Sequence, residues 1–271
     1  MKVEKRFSQG LQFLAHYTYS KAYNYSADGF GGYYSVDPKF VYGPDDFNRN
    51  HVFVANAVYE LPVGKGRRFM SNASRAMDYA IGGWQISNTL TWSGGLPFTP
   101  TIGECNAIAD AGPCYPDLLP GQSFSTGKQR DSKGNLTWFT PVASLSQATF
   151  SATDLTGQDS CTLTRTTSGP FRLPACGRIG NAGRNWLRGP HAFFSDMSVA
   201  KNFNITEKYR AQFRFDAYNV FNHPVLGFSS TQGNTCIDCG GGGIISAIEA
   251  DASPNAPNGM RQLQFGLRFF F

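Results

Sequence analysis

The chain has 271 residues, of which 14% are aromatic and only 16% charged, with 30 glycines and a formal net charge of +5. No basic run or basic helix face accompanies that charge, which argues against a nucleic-acid partner. No stretch of 18 apolar residues occurs, which excludes a transmembrane helix but not a wall of strands rich in aromatics and joined by glycine-rich turns.

The N-terminus, MKVEKRFSQG, carries charges with no apolar core behind them, so it is not a secretory signal. An outer-membrane protein beginning this way is expected to lack its true start. A first strand is expected near 7–20, where Leu11, Phe13, Ala15, Tyr17 and Tyr19 alternate with Gln12, His16 and Thr18, and Leu14 interrupts the polar face. A tyrosine- and glycine-rich loop over 21–48 follows. The second strand, near 49–61, presents Phe53, Ala55, Ala57, Tyr59 and Leu61 on one face, and a turn begins at Pro62.

Residues 71–81 suit one or two helical turns capped by Ser71 or Asn72. The third strand, near 83–98, sets Trp84, Ile86, Leu90 and Trp92 against Gln85, Ser87, Thr89 and Thr91. Its two tryptophans are eight residues apart, roughly 26 Å along a strand at about 3.3 Å per residue. That approaches the height of the apolar band of a membrane barrel, about 25 Å, and suits an interfacial tryptophan at each end.

Residues 99–189 show no sustained alternation and read as a long loop, which is uncommon in a soluble domain but ordinary on the outer side of a barrel. A fourth strand, near 192–203, has the weakest pattern, because Phe194 and Lys201 fall on the wrong faces. The fifth, near 208–221, is strong: Tyr209, Ala211, Phe213, Phe215 and Ala217 alternate with Arg210, Gln212, Arg214, Asp216 and Tyr218. A third long loop, 222–259, leads to the last strand, near 261–271, where Leu263, Phe265, Leu267, Phe269 and Phe271 share one face and Arg268 lies on the other.

The connections therefore run long, short, long, short, long, as in an outer-membrane barrel with short periplasmic turns and long extracellular loops. The expected fold is all-β: an antiparallel transmembrane β-barrel portion of about six strands. Single-chain barrels start at about eight strands, and an open edge in lipid leaves unpaired backbone groups, so these strands are expected to belong to a larger barrel, the alternative being two further strands within 100–185. Trp84, Trp92, Tyr59 and Tyr209 are the expected lipid-interface aromatics, and Arg210, Arg214, Asp216 and Arg268 the expected lumen-facing charges.

Four segments carry a family resemblance: GGWQISNTLTWSGGLPFTP from Gly82, NWLRGP from Asn185, FRFDAYNVFNHP from Phe213, and the terminal FGLRFFF. In this order they resemble the C-terminal barrel of TonB-dependent outer-membrane receptors, especially the Oar-like branch. The resemblance implies a bacterial outer-membrane location, a barrel of 22 strands, and a terminal aromatic strand (Phe269, Phe271) read by the barrel-assembly machinery. It also implies nutrient uptake driven by an energy-coupling complex through a plug domain. No plug is present in the sequence, so transport by this polypeptide alone is not expected. Its implied partners are outer-membrane lipid, the assembly machinery and the remainder of the receptor, plug included.

The six cysteines fall in presumed loops, with Cys105/Cys114, Cys161/Cys176 and Cys236/Cys239 as the local pairings among fifteen connectivities. In an oxidising compartment they suit loop staples. The four histidines lack ligand spacing, Asp37, Asp45 and Asp46 lack a calcium-loop pattern, and Ser93 in Trp-Ser-Gly-Gly is not a nucleophile elbow. No catalysis, metal or cofactor is therefore expected. A non-transporting surface barrel or adhesin is the first alternative; a secreted carbohydrate-binding β-sandwich is the second.

Overall fold

The structure is a computed structural model and describes residues 1–25, 37–103, 114–140, 148–150, 161–163, 167–174, 179–206, 208–228, 235–239, 241–247 and 259–271. One sheet dominates it. Seven antiparallel strands lie side by side in chain order: β1 (Lys2–Ser8), β2 (Leu11–Tyr19), β3 (His51–Glu60), β4 (Trp84–Ser93), β5 (Ala192–Asn204), β6 (Arg210–Tyr218) and β7 (Gln262–Phe270). β1 and β7 are its two edges, so these seven strands form an open meander and not a closed barrel.

The seventh strand is β1. Gln9 and Gly10 both take positive φ, 52° and 80°, and make a two-residue hairpin turn that reverses the chain where the alternation reads as one continuous strand from residue 7. Two features hide β1 in the sequence. Lys5 occupies the apolar face opposite Phe13, and the register shifts between Lys5 and Ser8. The third strand is also shorter than its pattern, because Pro97–Phe98 leave the sheet and pair with Leu187–Arg188.

Register sorts the side chains. Phe13 pairs with Ala57, Phe53 with Trp92, Ile86 with Val199, Val199 with Phe215, and Phe215 with Phe265, so one face is apolar across all the strands from β2 to β7. On the last strand Leu263, Phe265, Leu267 and Phe269 are 55–66% exposed. A sandwich would cover this face with a second sheet, and among the described residues none does so. The opposite face is polar: Arg214 Nε donates to Asp216 Oδ1 at 2.7 Å and to Ser198 Oγ at 3.0 Å, and Gln212 Nε2 donates to Asn202 Oδ1 at 2.8 Å. Arg210, Arg214, Asp216 and Arg268 share this face, as the pairings Arg210–Phe270, Gln212–Arg268 and Asp216–Gln264 require.

Among the polar residues on the apolar face, Asn88 and Lys201 are satisfied within the protein. Asn88 Nδ2 donates to Ser195 Oγ at 2.9 Å and to the Asp196 carbonyl at 3.0 Å. Lys201 pairs with Trp84 and Phe213, which places it on the apolar face. It is nevertheless only 3% exposed. Its Nζ donates to the Gly82 carbonyl and lies 5.4 Å from the Trp84 ring and 5.2 Å from the Phe203 ring. The long stem thus carries the charge to the end of the strand, where a backbone acceptor and two ring faces receive it.

At that same end, helix α1 (Arg75–Ile81) starts at Ser74, whose hydroxyl accepts from Met77 N. Ser74, and not Ser71 or Asn72, is therefore the cap. Arg75 Nη2 donates to the Ile205 carbonyl at 3.2 Å and Tyr79 OH to the Asn204 carbonyl at 3.1 Å, which docks the 61–83 connector on the β5–β6 turn.

Candidate functional site

The three long connections, 20–50, 94–191 and 219–261, leave from one end of the sheet, and their described residues pack together into a cap. Its largest fully buried side chains include Tyr115, Phe139, Phe171, Leu173 and Ile237. The main apolar core of this chain is therefore in its loops. Phe98 and Phe139 stack at 6.1 Å, Phe98 meets Phe228 at 4.7 Å, and Phe124 meets Phe171 at 4.9 Å. Burying rings such as Phe139 and Phe171 stabilises by about 1.5–3 kcal/mol each.

Polar contacts knit the first two loops. Arg184 donates from Nη1 to Asn24 Oδ1 at 2.7 Å and from Nη2 to Asp46 Oδ2 at 2.6 Å. Asn185 donates from Nδ2 to the Pro44 carbonyl at 2.9 Å, and its backbone N–H donates to Thr99 Oγ1 at 3.0 Å. Arg188 donates from Nη1 to the Asn48 carbonyl at 2.6 Å and from Nη2 to Asn50 Oδ1 at 2.9 Å. Burial lowers the Arg188 pKa below its ordinary value, partly offset by Tyr23. The NWLRGP segment is thus a seam between loops with Trp186 exposed, and it lies so close to the second loop's start that a Cβ on Gly95 would collide with the Gly189 carbonyl.

The second and third loops meet backbone to backbone. Ile237 N donates to the Thr101 carbonyl at 2.8 Å, Trp138 N to the Gly243 carbonyl at 2.7 Å, and Gly103 N to Asp238 Oδ1 at 2.9 Å. Cys236 and Cys239 are joined in a disulfide around Ile237, which is fully buried. Cys236, Asp238 and Cys239 are the one set of three potential metal donors clustered among the described residues, and the two sulfurs are already bonded to each other. Cys114 is also disulfide-bonded. Cys105 and Cys176 lie outside the described residues, as do Tyr33, Tyr34 and Gly240. Cys161 lies on a short strand, Cys161–Leu163.

The expected interface aromatics occupy the two ends of the apolar face. Trp92 lies at the cap end, its ring 6.5 Å from His191. Trp84 lies at the other end, its indole donating to the Ala80 carbonyl at 3.0 Å, with Tyr59 on the neighbouring strand and Tyr209 just before β6. Phe269 pairs with Ala211, one step before the Arg210–Phe270 pair that closes the ladder, and Phe271 beyond it is 92% exposed.

Several structural residues carry no spacing signal. His191 and His223, 32 positions apart in the sequence, stack at 6.1 Å, and Tyr17 OH lies 2.6 Å from His51 Nδ1. Asn219, with φ 48°, ends β6. Its amide donates to the His223 and Gly259 carbonyls and accepts from His223 N, while its backbone N–H donates to Asp196 Oδ1. The first Asn in FRFDAYNVFNHP, Asn219, is therefore a strand terminator that ties the third loop to the sheet; asparagine is among the few residues that tolerate positive φ.

The arrangement is a two-faced wall carrying a folded cap at one end. Neither the curated proteins nor the solved structures contain a match to the chain. A family model described as "Outer membrane beta barrel domain" matches residues 1–264. The two-faced meander agrees with that match: this chain belongs to the outer membrane beta barrel domain family, whose place is the bacterial outer membrane.

Proposed function

We propose that the chain supplies part of the wall, lumen lining and ligand-facing cap of a TonB-dependent receptor of the Oar-like branch, taking up a scarce nutrient. The observation that carries this reading is the cap. Loops that only joined strands would need no shared core, whereas a folded, cross-tied surface at one mouth can shape a binding site. In this reading the apolar face meets lipid and the face bearing Arg210, Arg214, Asp216 and Arg268 meets the lumen. The cap is extracellular and the short-turn end periplasmic. The exposed edges pair with further strands of a larger barrel, because unpaired backbone in lipid costs several kcal/mol per group. The aromatic end of β7, with Phe269 and Phe271, engages the barrel-assembly machinery. Energy coupling reaches this chain only through a plug supplied by the rest of the receptor.

Two measurements test the reading. Cysteines placed at Lys39 and Lys65 are treated with an impermeant thiol reagent on intact cells. Labelling of the first alone is expected, and labelling of the second alone overturns the orientation. Deleting the gene is expected to abolish growth on one limiting nutrient to the same extent as disabling the energy-coupling complex. Unchanged uptake with altered surface attachment would favour the adhesin alternative.

A further inference from the structure

At the short-turn end, a cleft of about 690 Å³ opens between the β1–β2 turn and the connector after β3. Lys5, Arg67 and Arg68 line it with one carboxylate, Glu60, leaving a formal excess of two positive charges (three cations less one anion). Arg67 Nη2 contacts Glu60 at 3.3 Å. Lys5 Nζ donates to Ser8 Oγ at 2.9 Å, and the Arg68 guanidinium lies 5.6 Å from the Phe69 ring. Among the described residues no carboxylate pairs with Lys5 or Arg68.

The walls are of the opposite kind. Leu11 and Tyr59 pair with each other on the apolar face of the sheet, Lys5 shares that face through Phe13, and Phe69 is 54% exposed beside them. The cleft therefore sits where the apolar band ends, with hydrocarbon-compatible walls beside two cations that no carboxylate among the described residues pairs. A basic, aromatic-edged recess at headgroup depth is complementary to a phosphate diester that carries acyl chains.

We infer that this cleft is a binding site for an anionic phospholipid of the leaflet facing the short-turn end, its phosphate between Lys5 and Arg68 and its chains along Leu11 and Tyr59. The inference rests on the lipid-facing assignment of the apolar face made above. Lipid preference is read on purified protein, so it fails or holds independently of transport and of the labelling result.

The test uses the full chain purified in detergent, with lipids retained after washing counted by native mass spectrometry. Phosphatidylglycerol is the probe and phosphatidylcholine the reference. Wild type is expected to retain phosphatidylglycerol preferentially, and Lys5→Glu with Arg68→Glu is expected to lower that retention by roughly thirtyfold or more. Lys39→Glu with Lys133→Glu makes the same charge change at the cap end and is expected to leave retention unchanged. Heat-modifiable gel mobility reports folding; should the double reversal not fold, Arg68→Gln alone is expected to cost roughly fivefold. Equal retention of the two lipids, an equal loss in the cap-end control, or displacement of the lipid by millimolar inorganic phosphate each overturns the proposal.

Discussion

Arg184 and Asp46, 138 positions apart in the chain, meet at 2.6 Å in the cap, with the guanidinium side chain 2% exposed and the carboxylate 40% exposed. Removing the carboxylate leaves the guanidinium buried with one strong partner fewer. Asp46→Ala is therefore expected to loosen the cap by about 1–3 kcal/mol while leaving the sheet intact. Limited proteolysis on the detergent-solubilised protein checks this: faster cleavage within 20–50 and 94–191, with unchanged strand fragments, is the expected pattern. Unchanged loop cleavage would sink it.

Lys201 satisfies the Gly82 carbonyl from the apolar face of β5. Lys201→Met keeps the stem but removes the donor and both ring contacts. We expect a loss of about 1–2 kcal/mol in urea unfolding in lipid vesicles. Equal or greater stability of the variant would mean that the charge costs as much as its contacts return.

Reduction of Cys236–Cys239 is expected to free the segment that seats Ile237 in the cap core. The bond closes a four-residue loop, so the expected contribution is roughly 2 kcal/mol. Hydrogen exchange at Ile237 and Gly103, whose amides bond to the Thr101 carbonyl and to Asp238, gives the readout. Unchanged protection after reduction would assign the seat to the apolar contacts alone.

His223 lies outside the sheet, and its pKa is lowered first by burial, then by His191 and Lys128. A base with a depressed folded pKa favours the native state fully above its unfolded value, about 6.5. That contribution falls as pH drops below this value and is gone below the folded pKa. The third loop is therefore expected to be more protease-sensitive at pH 5 than at pH 7.5, and His223→Gln to flatten the difference. A pH-independent wild type would dismiss the effect.

The sheet was legible because its chemistry has a period. Residues such as Leu263, Phe265 and Leu267 announce a two-faced strand with no knowledge of what covers them. β1 was not legible, since Lys5 on the apolar face and the shift before Ser8 erase the alternation over a strand of seven residues. The cap was invisible for a different reason. Its ladders are two or three residues long, as at Pro97–Phe98 and Phe171–Arg172, too short to display any period. Its core gathers Phe98, Phe139, Phe171 and Ile237 from distant positions. Lys201 was seen as a misfit, but its acceptor, Gly82, lies 119 positions away.

The distribution of those distances has a kinetic meaning. The strand hairpins β1–β2 and β5–β6 close over short turns, whereas the cap is fastened by contacts such as Arg184–Asp46 and Gly103–Asp238, separated by 138 and 135 positions. Closing spans of that length from an open chain is slow, and pairing the strands first shortens them. The order of assembly follows from this: the wall sets before its lid. Until the cap closes, the phenylalanines of its core, Phe98, Phe139 and Phe171, have no apolar partners to cover them, the condition under which aggregation competes with folding.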